Sequence, residues 1–242
     1  MICKNHQDTS RCAADLVAEL FAKKPEMTVT FAAGDTPFFC YRELIRRQNN
    51  GELQLDRARY IGLDEWVGLG PDTEGSCIAS MNRGYYHPAG IPGKRIVAFD
   101  GLTADMDAEI ERMREYLRQY PLDLAVLGVG VNGHVGFNEP GITTTGDFSL
   151  VPLSTSTQAV GRKYFMGKRT PARGATITLQ ALMRAERVII LATGAGKRDA
   201  VAGIWAKDAV LPASAFTVHP GACYLFDEEA SAPFTVTESA AP

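Results

Sequence analysis

The chain has 242 residues, 45% of them hydrophobic and 22% charged, with a formal net charge of −3. That length suits one α/β domain with a full apolar core, and the composition excludes a disordered or fibrous chain. A slightly acidic balance offers nucleic acid no general field, and the cluster Arg42, Arg46 and Arg47 reads as a solvated helix face.

The opening MICKNHQDTSRCAADL has no apolar core of signal-peptide length, and no later run approaches the roughly 20 apolar residues of a membrane span. Five cysteines, Cys3, Cys12, Cys40, Cys77 and Cys223, are odd in number and scattered, without a C-x-x-C pair. They suit a reducing compartment. The expectation is a cytoplasmic protein with neither membrane nor nucleic acid as partner, and hydrophobic periodicity leaves monomer and homo-oligomer open.

In SRCAADLVAELFAKK apolar residues recur at three- and four-residue steps, predicting an amphipathic helix capped by Ser10. TVTFAAG follows as a buried strand, and Pro37 at a first helical position opens FFCYRELIRRQNNG. ARYIGLDEW reads as one strand with carboxylates at its end, DAEIERMREYLRQY as a helix, and LDLAVLGVG as the next strand. RVIILATGAGKRDAVAGIWAKDA repeats strand, glycine-rich turn and helix. Alternation of this kind predicts an α/β fold: a mainly parallel sheet with helices on both faces, a Rossmann-like three-layer architecture within one domain spanning 1–242. The stretch 141–168, rich in Thr, Ser and Gly, breaks the rhythm and reads as a lid. Trp66 and Trp205 read as packing residues.

In such a sheet the site lies beyond the carboxyl ends of the strands. AAGDTP, LDEW, GVGVNGHVGFNEPG and TGAGK share that address. Gly128, Gly130 and Gly133 match a dinucleotide spacing, but the run continues through Gly136, Asn138, Pro140 and Gly141, which is poor helix material. The glycines serve instead to turn Asn132, His134 and Glu139 toward one pocket, where a carboxylate would orient the imidazole and favour its protonated form. Asp64 and Glu65 are adjacent, so on an extended strand only one of them enters a given pocket; the alternative is that both cap the following turn. Gly34, Asp35 and Thr36 offer a helix N-terminus and a hydroxyl to an anion, although the Asp35 charge must turn away from it; the turn at Lys197 offers a second such site. Two such loops suggest a sugar phosphate.

LDEWVGL, GVGVNGHVGFNEPG and TVHPGACYLFDEEAS together resemble the glucosamine-6-phosphate deaminase (isomerase) family, in matching order from about residue 10 to residue 230. The resemblance implies conversion of glucosamine 6-phosphate and water to fructose 6-phosphate and ammonia, with no metal or cofactor. Asp64 would move a proton between C2 and C1, and His134 would open the pyranose ring with Glu139 and Asn132 as partners. Phosphate would meet the Gly34–Thr36 loop, Lys197, and the pair Arg162 and Lys163, where the arginine of the motif is displaced by one place or replaced by Lys163. TTTGDFSLVPLS lacks Lys and Arg, so the basic effector residues of larger regulated members are missing and simple saturation kinetics are implied. Related possibilities are galactosamine 6-phosphate as substrate, a 6-phosphogluconolactonase, in which FNEPG is not expected, and the sugar-phosphate-sensing domain of a regulator. Such a regulator should carry a helix-turn-helix module ahead of the domain, where about ten residues precede the first predicted helix.

Overall fold

The computed structural model describes residues 1–165 and 170–232. Strand β1 (Ile2–Cys3) leads into helix α1 (His6–Lys23), and β2 (Thr28–Phe31) into α2 (Asp35–Asn49). Next come β3 (Arg59–Ile61), β4 (Asp64–Trp66), α3 (Cys77–Met81) with a π-helical turn to Tyr86, β5 (Ile96–Val97) and α4 (Met106–Gln119). Then follow β6 (Leu124–Gly128), β7 (Phe148–Pro152), α5 (Thr155–Tyr164), β8 (Arg173–Ile177), α6 (Leu179–Leu182), β9 (Arg187–Ala192), α7 (Arg198–Trp205), β10 (Ala222–Asp227) and α8 (Glu228–Ser231).

Seven strands form one sheet in the order β1-β10-β9-β6-β2-β3-β5, every pair parallel. Its central strands β6 and β9 are apolar on both faces because each face carries helices. In β9, Val188 and Ile190 point into a core built with α4 and α7, while Ile189 and Leu191 point into the opposite core against α1 and α2. The α/β architecture predicted from the alternating pattern is therefore the one observed. The order reverses between β2 and β6: β3 and β5 extend one way, β9 and β10 the other.

Four details differ from the sequence expectations. Helix α1 begins at His6, where Asn5 Oδ1 accepts the Asp8 amide at 2.9 Å, and Ser10 is a buried interior residue. Helix α2 begins at Asp35, two residues ahead of Pro37. ARYIGLDEW is two strands: β3 stays in the main sheet, and β4 crosses to a three-stranded antiparallel sheet, β4-β8-β7. The fourth is the stretch from Gly141, which contains β7 and α5; a five-residue strand and a short Thr- and Ser-rich helix are too brief to show a clear period, and 166–168 lie outside the described residues. Helix α5 seats on an aromatic platform, with Trp66 edge-on to Phe137 at 4.7 Å and to Phe165 at 5.2 Å.

Trp66 is buried, whereas Trp205 is 49% exposed and touches Phe226 edge-on. The arginine cluster on α2 is matched by acids: Arg46 pairs with Glu43 and Glu52, and Arg47 with Asp15 and Glu43. Arg42 lies over the Phe39 ring. Among the described residues, no helix is long and apolar enough to cross a membrane.

Candidate active site

A cavity of about 360 Å³ opens beyond the carboxyl ends of β2 and β6, at the reversal of strand order. Open parallel sheets bind ligands at that point because the loops on its two sides diverge and leave a crevice. Its walls come from Ala32–Pro37, Leu63 and Asp64, Gly128–Val131, His134, Cys77 and Lys197, with Thr157, Val160 and Tyr164 of α5 facing them.

The crossing of the chain from β3 to β4 sets Asp64 on the cavity wall. Burial pushes its carboxyl up to about 7, with the Cys77 thiol opposing the rise and Glu65 adding to it. Glu65 faces the other way, as strand alternation requires. It is buried and accepts the Ser76 hydroxyl at 2.7 Å, the amides of Cys77 and Ile78 at 3.0 Å each, and that of Trp66 at 2.9 Å. Of the two adjacent acids, one enters the cavity and the other ties down the start of α3.

His134 sits at the end of a chain of directed bonds. A carboxylate only accepts, so Glu139 Oε2, 3.0 Å from Asn132 Nδ2, fixes the orientation of that amide. Asn132 Oδ1 then faces His134 Nδ1 at 2.7 Å, which places the ring proton on Nδ1 and leaves the lone pair on Nε2. The direct His134–Glu139 separation is 3.8 Å. Burial holds the imidazole below its usual range; Glu139 opposes this and Lys197 adds to it. Glu139 favours the protonated ring, as expected, but burial outweighs it, so the neutral ring is favoured at neutral pH.

Two glycines of the run are needed for space and backbone shape. Gly136 has φ +56°, and a Cβ there would meet Thr176 Oγ1 at 2.8 Å. A Cβ on Gly130 would lie 2.3–2.5 Å from the His134 ring. Gly130→Ala is expected to expel the ring from its place and cost about 10²-fold or more in turnover, since small displacements of a reacting group are expensive. Steady-state kinetics with circular dichroism check this: a folded Gly130→Ala protein with unchanged turnover would refute the packing argument.

At the other end of the cavity, Gly34 caps α2 and Thr36 lies in its first turn, with the His6 ring 3.0 Å from the Thr36 carbonyl oxygen. Asp35 lines the cavity, but its Oδ2 accepts the Tyr164 hydroxyl at 3.3 Å, drawing the carboxylate toward α5. Lys197 stands across from this loop on the turn after β9. The Gly194 amide of that turn is taken by Asp227, and Lys197 stands at the cavity wall. Arg162, expected at the phosphate, is exposed on α5 and is not among the residues lining the cavity, toward which the helix turns Val160 and Tyr164. The side chain of Lys163 is outside the described residues. Among the described residues, no cluster of His, Cys, Asp or Glu is arranged to hold a metal ion.

Residues 5–225 match the family model described as glucosamine-6-phosphate isomerases/6-phosphogluconolactonase. The chain belongs to this family. It is 31% identical over 235 residues to a glucosamine-6-phosphate deaminase of Clostridium perfringens (strain 13 / Type A), covering 96% of this chain and 97% of that one. A Bacillus velezensis glucosamine-6-phosphate deaminase is 31% identical over 233 residues, covering 95% and 97%. Among solved structures, a monomeric glucosamine-6-phosphate deaminase superposes with a TM-score of 0.91 at 29% identity, covering 96% and 98%. The 6-phosphogluconolactonase of Trypanosoma brucei, at 21% identity and a TM-score of 0.78 over 97% of each chain, shares the fold.

Within the family frame, several residues that sequence reasoning passed over stand at the cavity or directly behind it. Thr157 Oγ1 lies 3.3 Å from His134 Nδ1, and Ser156 Oγ accepts from Asn132 Nδ2 at 3.2 Å, so α5 closes over the histidine chain. Asn138 is buried and donates to the carbonyls of Val135 and Ile177, pinning the FNEPG turn to β8. Lone polar residues inside an irregular stretch give no periodic signal. His219 of the HPG motif is structural: its Nε2 bonds the Ala185 carbonyl, and its Nδ1 accepts the Gly221 amide.

Proposed function

We propose that the protein is a glucosamine-6-phosphate deaminase, with Asp64 and His134 as two separately tuned proton carriers on one sugar-sized cavity. The observation that carries the reading is that pairing: the Asp64 carboxyl and the His134 imidazole line one cavity, where burial raises the first to about 7 and holds the second below its usual range. Isomerisation of a cyclic aldose needs two different proton transfers, and two groups with distinct environments suit them.

In the proposed sequence, His134 Nε2 takes the proton of the C1 hydroxyl as the pyranose opens and returns one to the ring oxygen. Asn132 and Glu139 stabilise the transient imidazolium through Nδ1. Ionised Asp64 then removes the C2 hydrogen, giving an enolamine between C1 and C2, and delivers a proton to C1. The resulting C2 iminium adds water and releases ammonia, leaving fructose 6-phosphate, so that one sugar phosphate and one water become one ketose phosphate and one ammonia. Lys197 and the Gly34–Thr36 turn hold the phosphate, where a charge-assisted contact from lysine complements the first amides of α2.

Lys197→Met is expected to raise KM about 10- to 100-fold with a smaller loss in kcat, the signature of a lost binding contact. An unchanged KM for the sugar phosphate would remove Lys197 from the phosphate site.

A coupled ammonia assay with glucosamine 6-phosphate and its C4 epimer galactosamine 6-phosphate tests the reading and settles the configuration at C4. The expected result is ammonia from glucosamine 6-phosphate with no added metal or nucleotide. Hydrolysis of 6-phosphogluconolactone with no ammonia from either amino sugar would overturn it.

A further inference from the structure

Cys77 has no assigned part in the steps above, yet it shares a wall of the cavity with Asp64. The two also line the small void behind that wall, so both residues stand on the partition between the two spaces. The cysteine's placement is fixed from behind. As the first residue of α3 it follows the capping residue Ser76, and its own amide donates to Glu65 Oε1 at 3.0 Å. Ser76 and Ile78 on either side are held by Glu65 Oε2 at 2.7 and 3.0 Å. Glu65 and Asp64 are consecutive on β4, so the strand that presents the base also anchors the residue beside it.

We infer that Cys77 is a positioning residue for Asp64, its thiol donating to the carboxylate and holding that group's plane toward the substrate's C2. Burial and the neighbouring acids keep the thiol protonated, which is the form that donates. The titratable groups around Asp64 are Glu65 on its own strand, Tyr41 and Asp35 on α2, Tyr86 beyond the small void, Cys77 on α3, Tyr164 on α5, and His134 and Lys197 across the cavity. Of the causes acting on Asp64, the thiol favours the ionised form, against burial and Glu65. Removing it therefore raises the pH at which the base becomes active.

This inference rests on the deaminase reading, and two measurements separate its failure from the failure of that reading. Cys77→Val keeps the approximate volume and deletes the donor; Cys77→Ser keeps a donor. In Cys77→Val the acid limb of kcat/KM is expected to move up by about 0.5–1 pH unit, lowering the rate about 3- to 10-fold on that limb, with KM within about twofold. Cys77→Ser should keep the limb within about 0.3 unit of the wild type, because a hydroxyl donates at least as well as a thiol. An unmoved limb in Cys77→Val, or the same shift in both variants, would overturn the inference.

The second measurement needs no activity. Peptide-resolved alkylation of Cys77 by iodoacetamide at pH 8 is expected to be about 5- to 10-fold faster in Asp64→Asn than in the wild type, since a thiolate no longer faces a carboxylate. Equal rates would overturn the inference even if no substrate were turned over.

Discussion

Asp64→Asn is expected to lower turnover of glucosamine 6-phosphate about 10²–10⁴-fold while substrate affinity stays within about threefold, because the amide keeps the shape of the carboxylate but cannot accept the C2 proton. The wild-type pH profile carries the same information. A base must be ionised to act, and burial places the Asp64 carboxyl at about 7, so kcat/KM should climb as pH rises through that value and flatten above it. Below it Asp64 is protonated and the rate falls tenfold per pH unit. In Asp64→Asn the residual rate should lose that limb. Retention of both the rate and the limb would take Asp64 out of the base role.

His134→Gln is expected to lower turnover about 10²–10³-fold through the ring-opening step alone. An open-chain reduced analogue, an amino alditol 6-phosphate, bypasses that step and should bind the variant within about threefold of the wild type. A pyranose-selective defect follows because Asn132 and Glu139 set the imidazole's proton on Nδ1, and the proposed phosphate end of the site is untouched. If the analogue's affinity fell as far as the rate, His134 would be a binding residue instead. The neutral ring is the form the proposed ring opening uses, and burial outweighs Glu139 in favouring it.

What the sequence revealed and what it concealed divide along a physical line. The layers of the sheet were legible because its central strands are apolar on both faces and each covering helix repeats its apolar residues at helical spacing. His134, Asn132 and Glu139 could be singled out because they lie in a loop at a strand end, among glycines that only a crowded turn demands, whereas Asp64 opens β4 and was separated from Glu65 only by the family resemblance. The direction of His134's protonation was not legible, since it depends on how deeply the ring is buried, and periodicity says nothing of that in a loop. The division of ARYIGLDEW into two strands was hidden because both halves have strand composition and differ only in which sheet receives them. Helix α5 was hidden by its Thr, Ser and Gly content, and with it the parts played by Ser156, Thr157 and Tyr164. Arg162 illustrates the converse: a motif names a residue type, but helix phase decides which side chain faces the cavity.

Asp35 looked like an obstacle to an anion in the phosphate loop. Its hydrogen bond from Tyr164 turns the charge into a tie between α2 and the helix that covers the site. A carboxylate in the first turn of a helix is also favoured by the helix dipole, so the residue stabilises α2 while remaining at the cavity rim.

The central claim is that one cavity couples ring opening and C2-to-C1 proton transfer to loss of ammonia. Its most direct test is an NMR time course of glucosamine 6-phosphate with the purified protein in deuterated water. The expected result is fructose 6-phosphate and ammonia in equal amounts, with the C2 hydrogen of the substrate lost and the product's C1 carrying hydrogen from C2 or deuterium from solvent. Glucosamine 6-phosphate left intact at C2, with no ammonia formed, would contradict it.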